Sequence, residues 1–87
     1  MKEIKLTNSA QKDLKKLNES LAKNILIKMK EYSINPQKGD VRKLKERLDR
    51  YRLRIGDYRI IFEENNDSIT VIMIAHRKDV YKRLKHK

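Results

Sequence analysis

The alternation of apolar and polar positions divides the chain into elements of two kinds. Lys2–Thr7 reads K-E-I-K-L-T, which places Ile4 and Leu6 on one side of an extended chain and predicts a short strand. Asn8 or Ser9 then offers a cap for a helix running to about Leu17, with Leu14 and Leu17 three apart. Asn18 or Ser20 starts a second helix, whose Leu21, Ile25, Met29 and Tyr32 recur at helical spacing until Pro36 stops it. Met29 and Tyr32 belong to that stripe and read as core. Val41–Asp49 is ambiguous between a basic turn of helix and an extended connection.

From Arg50 the period changes to two. Tyr51, Leu53 and Ile55 alternate with Arg50, Arg52 and Arg54. Gly56-Asp57 is a two-residue hairpin loop, since glycine tolerates the positive φ of a type II′ turn. Tyr58–Glu64 forms the next strand, the Asn65–Ser68 region turns the chain, and Ile69–Ala75 forms the last strand. A basic tail, Lys78–Lys85, has room for a helical turn or two. The expected fold is α+β: an N-terminal strand, a helical hairpin packed on an antiparallel sheet (β-α-α-β-β-β), and a short C-terminal helix or tail.

A length of 87 residues gives one domain, 1–87, with 38% hydrophobic residues gathered in periodic clusters. The absence of cysteine excludes disulfide scaffolds, zinc ribbons and thiol nucleophiles. Apolar runs are too short to span a bilayer, and Met1–Lys5 lacks the apolar stretch of a secretory signal, so a cytoplasmic protein without a membrane partner is expected. The net charge of +11 calls for a polyanionic partner, nucleic acid first. The charge is unevenly placed: residues 41–60 and 76–87 carry +5 each, whereas 61–75 carry −3. All eight arginines lie beyond residue 40, and the first forty positions use lysine alone. Arginine presents a planar fork matched to phosphate, so this segregation points to a phosphate site in the second half.

The hairpin register locates that site. A two-residue loop pairs Ile55 with Tyr58, Leu53 with Ile60 and Tyr51 with Phe62 on one face, which should pack on the helices. The other face receives Arg54 opposite Arg59, with Arg52 beside Ile61. Like charges directly across a strand pair are destabilising unless an anion sits between them. If the next loop has an even number of residues, parity sends Ile72, Ile74 and His76 to the Arg59 face, and His76-Arg77 reaches the sheet rim with Tyr81 one helical turn later. Arg54, Arg59, His76 or Arg77, and Tyr81 would then converge: cations for a phosphate, an aromatic ring for a base, and groups able to move protons.

Two stretches carry a resemblance. Tyr51-Arg52-Leu53-Arg54-Ile55-Gly56-Asp57-Tyr58-Arg59-Ile60-Ile61-Phe62 and Ala75-His76-Arg77-Lys78-Asp79-Val80-Tyr81 resemble the Y-R-x-R-x-G-x-Y-R-x-x-F and H-R-x-x-V-Y segments of RelE toxins in the RelE/ParE superfamily. The element order matches as well. The resemblance implies a toxin of a type II toxin–antitoxin system that enters the ribosomal A site and cleaves mRNA without a metal or other cofactor. In that reaction the RNA 2′-hydroxyl attacks the adjacent phosphate, leaving a 2′,3′-cyclic phosphate and a 5′-hydroxyl. Carried over by motif, Arg59 holds the scissile phosphate, Arg77 stabilises its charge and assists the leaving oxygen, and Tyr81 orients or stacks on the nucleotide. Arg52 and Arg54 stand where the best-known members carry lysines. An arginine does not release its proton at physiological pH, so these two supply electrostatic stabilisation, and proton transfer falls to His76, Tyr81 or a ribosomal or RNA group. Arg42, Lys43, Lys45 and Arg47 would dock on ribosomal RNA. The implied partners are mRNA, the ribosome and a RelB-like antitoxin whose acidic segment wraps the basic surface and covers the Lys78–Lys87 tail. The alternatives are a ParE-type inhibitor of DNA gyrase and a non-catalytic RNA-binding domain.

Overall fold

The computed structural model describes residues 2–44 and 49–85. The elements run β1 (Glu3–Leu6), α1 (Asn8–Lys15), α2 (Glu19–Ile34), a 3₁₀ turn (Pro36–Lys38), β2 (Asp40–Lys43), β3 (Arg50–Ile55), β4 (Tyr58–Glu64), β5 (Ser68–His76) and α3 (Val80–Lys85). The order β-α-α-β-β-β is as expected, with β2 resolving part of the ambiguous stretch as an added strand. The five strands lie in the order β1-β5-β4-β3-β2. The sheet is mixed: β1 runs parallel to β5, and the other neighbours are antiparallel. A parallel first strand follows from the path, because the helical hairpin carries the chain across the sheet before it returns at β2. Among the described residues no helix is long and apolar enough to cross a membrane.

Local chemistry sets the helix starts. The cap of α1 is Thr7, ahead of both expected candidates, Asn8 and Ser9: its Oγ1 accepts from the Ala10 amide at 3.1 Å and donates to the Ile72 carbonyl at 3.2 Å. A residue that closes a strand and caps a helix at once has a sequence signal belonging to both. Asn18 caps α2 through a 2.8 Å bond from the Leu21 amide. Ile25, Met29 and Tyr32 of α2 are buried against the sheet, in a core with Leu53, Ile55, Ile60, Phe62, Ile69, Val71 and Ile74. Tyr32 and Tyr51 flank Phe62, with ring centroids 5.3 and 5.6 Å away.

The β3–β4 register is the one read from the loop, from Ile55 opposite Tyr58 back to Tyr51 opposite Phe62. Gly56 has φ +55, and no other described residue has positive φ, as a type II′ turn requires. The β4–β5 register departs from expectation. Near the turn Glu64 faces Ile69 and Phe62 faces Val71, which is the even-loop register, but then Ile61 faces Met73 and Arg59 faces Ala75. Ile72 is the extra residue of a β-bulge, and a one-residue slip exchanges faces for everything beyond it. Ile74 therefore joins the helix-side core, and Met73 and Ala75 turn to the opposite face. There they form a second cluster with Ile61 and Val80, flanked by Leu44 and Leu84. That cluster is why the basic tail folds as α3: Val80 and Leu84, four apart, cover it.

Candidate active site

Direct cross-strand neighbours share a face, so the pairings define two rows on the α3 side of the sheet. One row runs Arg42, Arg52, Ile61, Met73, and the next runs Asp40, Arg54, Arg59, Ala75. Arg42 faces Arg52, and Arg54 faces Arg59: two like-charge pairs side by side. Strand pairing alone would not select this arrangement, since each pair costs about 0.2–1 kcal/mol.

Ion pairing sorts the arginines further. Arg50 is held by Glu63 at 3.3 Å and Arg83 by Asp13 at 3.0 Å, both structural contacts. Arg77 reaches Asp57 more loosely, at 3.6 Å, with both side chains more than half exposed. Arg42, Arg52, Arg54 and Arg59 have no carboxylate in ion-pair range among the described residues. The guanidinium of Arg59 turns back on the hairpin tip, donating to the carbonyls of Gly56 at 2.9 Å and Tyr58 at 3.0 Å. The Arg77 amide donates to the Asp57 carbonyl at 2.7 Å, which brings Arg77 to the same turn. These contacts orient the two forks and leave further N–H donors on each.

Tyr81 comes to the face from α3. Its hydroxyl accepts from Arg52 Nη1, and the Arg52 guanidinium carbon lies 5.8 Å from the ring centroid. The residue is 54% exposed. A half-exposed tyrosine gripped by Arg52, on the face that also carries Arg42, Arg54 and Arg59, presents an aromatic surface and a hydroxyl on a side of the sheet rich in positive charge.

His76 is a correction. The bulge places it opposite Tyr58 on the helix side, with ring centroids 5.4 Å apart, and its Nδ1 accepts from the Lys78 amide at 3.2 Å. It does not join the arginine rows. Lys43 faces Tyr51 in β2–β3 and so lies on the helix side too, at the sheet margin, whereas Arg42 lies with the cluster. Lys45 and Arg47 fall outside the described residues. The face thus brings together Arg42, Arg52, Arg54, Arg59 and Tyr81, with Arg77 at its end. Sequence reading missed Asp40, which faces Arg54 and is the acidic member of its row. The alternation Asp40-Val41-Arg42 was the available signal. Among the described residues no group of three or more His, Asp or Glu side chains is arranged to hold a metal ion.

The profile of the family described as "ParE toxin of type II toxin-antitoxin system, parDE" matches residues 4–81. The chain is a member of that toxin family. Within it the RelE branch is the one resembled. Toxin RelE3 of Methanocaldococcus jannaschii is 38% identical over 74 residues, covering 80% of this chain and 84% of that protein. Among solved structures, RelE in the RelB–RelE antitoxin–toxin complex from Methanococcus jannaschii superposes with a TM-score of 0.76 at 30% identity, over 91% of this chain and 96% of that one. RelE from the Pyrococcus horikoshii RelE–RelB complex gives 0.73 at 28% identity, over 87% and 94%. The chain therefore has the RelE-type fold, with the arginine rows on the face that α3 borders.

Proposed function

We propose that this toxin is a ribosome-dependent mRNA endoribonuclease whose chemistry runs on the arginine face. The observation that carries the reading is the double row of arginines, none ion-paired to a carboxylate among the described residues, with Tyr81 docked on one of them. In the reaction the 2′-hydroxyl oxygen of the RNA attacks the adjacent phosphorus and gives up its proton. The P–O5′ bond breaks, the phosphate closes to a 2′,3′-cyclic ester, and the leaving O5′ takes a proton. Negative charge grows on the phosphoryl oxygens as this happens. Arg59 and Arg54, converging from adjacent strands, stabilise that charge, and Arg77 serves the leaving-oxygen side from the hairpin tip. Tyr81 stacks on or orients the nucleotide, and Arg52 fixes it in place.

His76 faces away, so its imidazole has no part in proton transfer. Within the cluster Tyr81 carries a hydroxyl, but its hydrogen bond from Arg52 leaves the base role to a group brought by the RNA or the ribosome. An enzyme rich in charge stabilisation and poor in acid–base groups gains most when its substrate is positioned for it, which is the argument for ribosome dependence. Arg42, at the outer end of its row, extends the basic surface towards docking RNA. The antitoxin partner is read from the relatives, two of which were solved with RelB. An acidic segment lying over α3 and the arginine rows would silence the face by charge complementarity.

The test is a cell-free translation reaction with a defined mRNA, followed by mapping of RNA ends. Cuts that need ribosomes, leave 2′,3′-cyclic phosphate and disappear in Arg59→Ala are expected. Intact mRNA and undiminished synthesis at stoichiometric toxin would refute the reading. The family profile carries the ParE name, so gyrase supercoiling should be measured in parallel, and inhibition there with intact mRNA would move the protein to that class.

A further inference from the structure

Asp13 is a charged residue that the proposed chemistry does not use, and it is 8% exposed. It belongs to α1, on the helix side of the sheet, yet its contacts are with β5 and α3. Oδ2 accepts from the Ile74 amide at 3.0 Å and from Arg83 Nη2 at 3.0 Å. Arg83 Nη1 in turn donates to the Ile74 carbonyl at 3.4 Å. The topology explains why a buried carboxylate is needed here. β1 pairs with β5 only as far as Leu6 opposite Val71, whereas β5 continues to His76. Beyond Val71 the outer edge of β5 has no neighbouring strand among the described residues. Unmet backbone groups at a buried edge are costly, and the amide and carbonyl of one strand residue point the same way. The Asp13 carboxylate takes the amide of Ile74, the Arg83 guanidinium takes its carbonyl, and the two neutralise each other. They substitute for a missing strand.

This pair also ties α1 to α3 around the sheet edge. α3 has six residues, too few to persist without tertiary contacts. Its described anchors are Val80, fully buried, Leu84, partly buried, and Arg83. Tyr81 lies between Val80 and Arg83, so its place over Arg52 depends on both ends of α3 being seated. We propose that Asp13 and Arg83 form a latch that positions Tyr81 for mRNA cleavage, from the opposite layer of the fold and without touching the RNA. The part concerning cleavage rests on the function proposed above, whereas the anchoring of α3 stands on the contacts alone.

Hydrogen–deuterium exchange on the full chain reads the anchoring, and ribosome-dependent cleavage reads the positioning. In Arg83→Ala and Asp13→Asn the α3 amides should exchange about tenfold faster, while β3 and β4 stay protected. Asp13→Asn keeps an acceptor for the Ile74 amide, so the fold survives while the charge is lost. Arg83→Lys should fall between, since an ammonium can pair with Asp13 without also forking to Ile74. Cleavage should fall by about tenfold in Arg83→Ala, and this loss should vanish in a Tyr81→Ala background, because there the ring that the latch positions is already gone. Unchanged α3 exchange in Arg83→Ala overturns the latch. Loosened α3 with wild-type cleavage, or an equal loss of cleavage in both backgrounds, overturns positioning. Should Tyr81→Ala itself leave cleavage intact, the functional reading fails separately, and the exchange data alone decide whether Asp13 and Arg83 anchor α3.

Discussion

The contact between Arg52 and Tyr81 can be tested without any assumption about RNA. The perturbation is a double-mutant cycle: wild type, Arg52→Ala, Tyr81→Ala and the double variant. With the guanidinium carbon 5.8 Å from the ring centroid and the tyrosine 54% exposed, the cation–π contribution is of the order of 0.5–1 kcal/mol. The hydrogen bond from Arg52 to the tyrosine hydroxyl adds up to roughly 0.5 kcal/mol at such an exposed position. A coupling energy of about 1 kcal/mol is therefore expected. The single variants will hide it. Arg52→Ala also removes the repulsion from Arg42 across the strand pair, about 0.2–1 kcal/mol in the other direction, so its own effect should be close to zero. Only the cycle separates the two terms. Urea unfolding followed by circular dichroism supplies the four stabilities. In thermal unfolding, about 1 kcal/mol corresponds to roughly 4–8 °C for a domain of this size. Additivity to within about 0.3 kcal/mol would show that Tyr81 is not seated on Arg52, and a pre-assembled site would have to be abandoned.

Two further outcomes follow from charges elsewhere. Tyr32 holds its proton well above the ordinary tyrosine value, first because burial disfavours the phenolate and then because its hydroxyl donates at 2.7 Å to Glu64, which also binds Lys2. Below about pH 10 folded and unfolded chains both keep that proton; above it the unfolded chain releases the proton and the folded one does not, so stability drains as pH rises, by up to roughly 1.4 kcal/mol per unit. Urea midpoints between pH 9 and 11 should fall less steeply in Tyr32→Phe than in wild type, and parallel slopes would refute the assignment. The Arg54–Arg59 pair should take up a divalent oxyanion: sulfate should raise the melting temperature more than chloride at equal ionic strength, and the excess should shrink in Arg54→Gln. An equal response of both proteins would place the anion elsewhere on the basic surface.

Most of the fold could be read from periodicity because the β3–β4 loop leaves no freedom: once Gly56-Asp57 is a two-residue turn, every pairing back to Tyr51–Phe62 is determined, and so is the face each arginine occupies. The same parity argument failed one strand later. Counting loop residues presumes an unbroken ladder, and nothing in Ile69–Ala75 marks Ile72 as a bulge, since no glycine or proline interrupts the run. The contacts that meet the slip come from outside that strand. Thr7 donates to the Ile72 carbonyl with its hydroxyl and to the Val71 carbonyl with its amide, so the departing end of β1 engages the backbone where the register slips. A contact between residues 7 and 72 is invisible to a local reading, and His76 was misassigned for that reason alone. Asp13 was hidden similarly: in sequence it is one more acid on a helix, and only the shortness of β1 against β5 gives it work.

One signal was present in the chain and points to the least expected feature. Ile69–Ala75 is apolar at six of seven positions, without the alternation of a strand that has one wet face. Such a strand must be covered on both sides, but the helical hairpin can cover only one. What remains to cover the other is the segment after His76, and within it Val80 and Leu84 are the apolar pair at helical spacing. Burial of β5 therefore requires α3, and α3 necessarily crosses the face on which the hairpin register has set the arginines. The position of Tyr81 beside Arg52 then follows from packing as well as from function: the residue after Val80 projects from the edge of the apolar cluster, and that edge is where Arg52 stands. A guanidinium bordering an apolar cluster is less screened than one surrounded by water, so the packing that orders α3 also strengthens the field over the site. It follows that anything that lifts α3, whether a variant or a bound partner, should disarm the arginine face and expose Ile61, Met73 and Ala75 together. Loss of activity and gain of exposed apolar surface should then rise in step, and a partner that silences the toxin from this side must bring apolar side chains as well as acids.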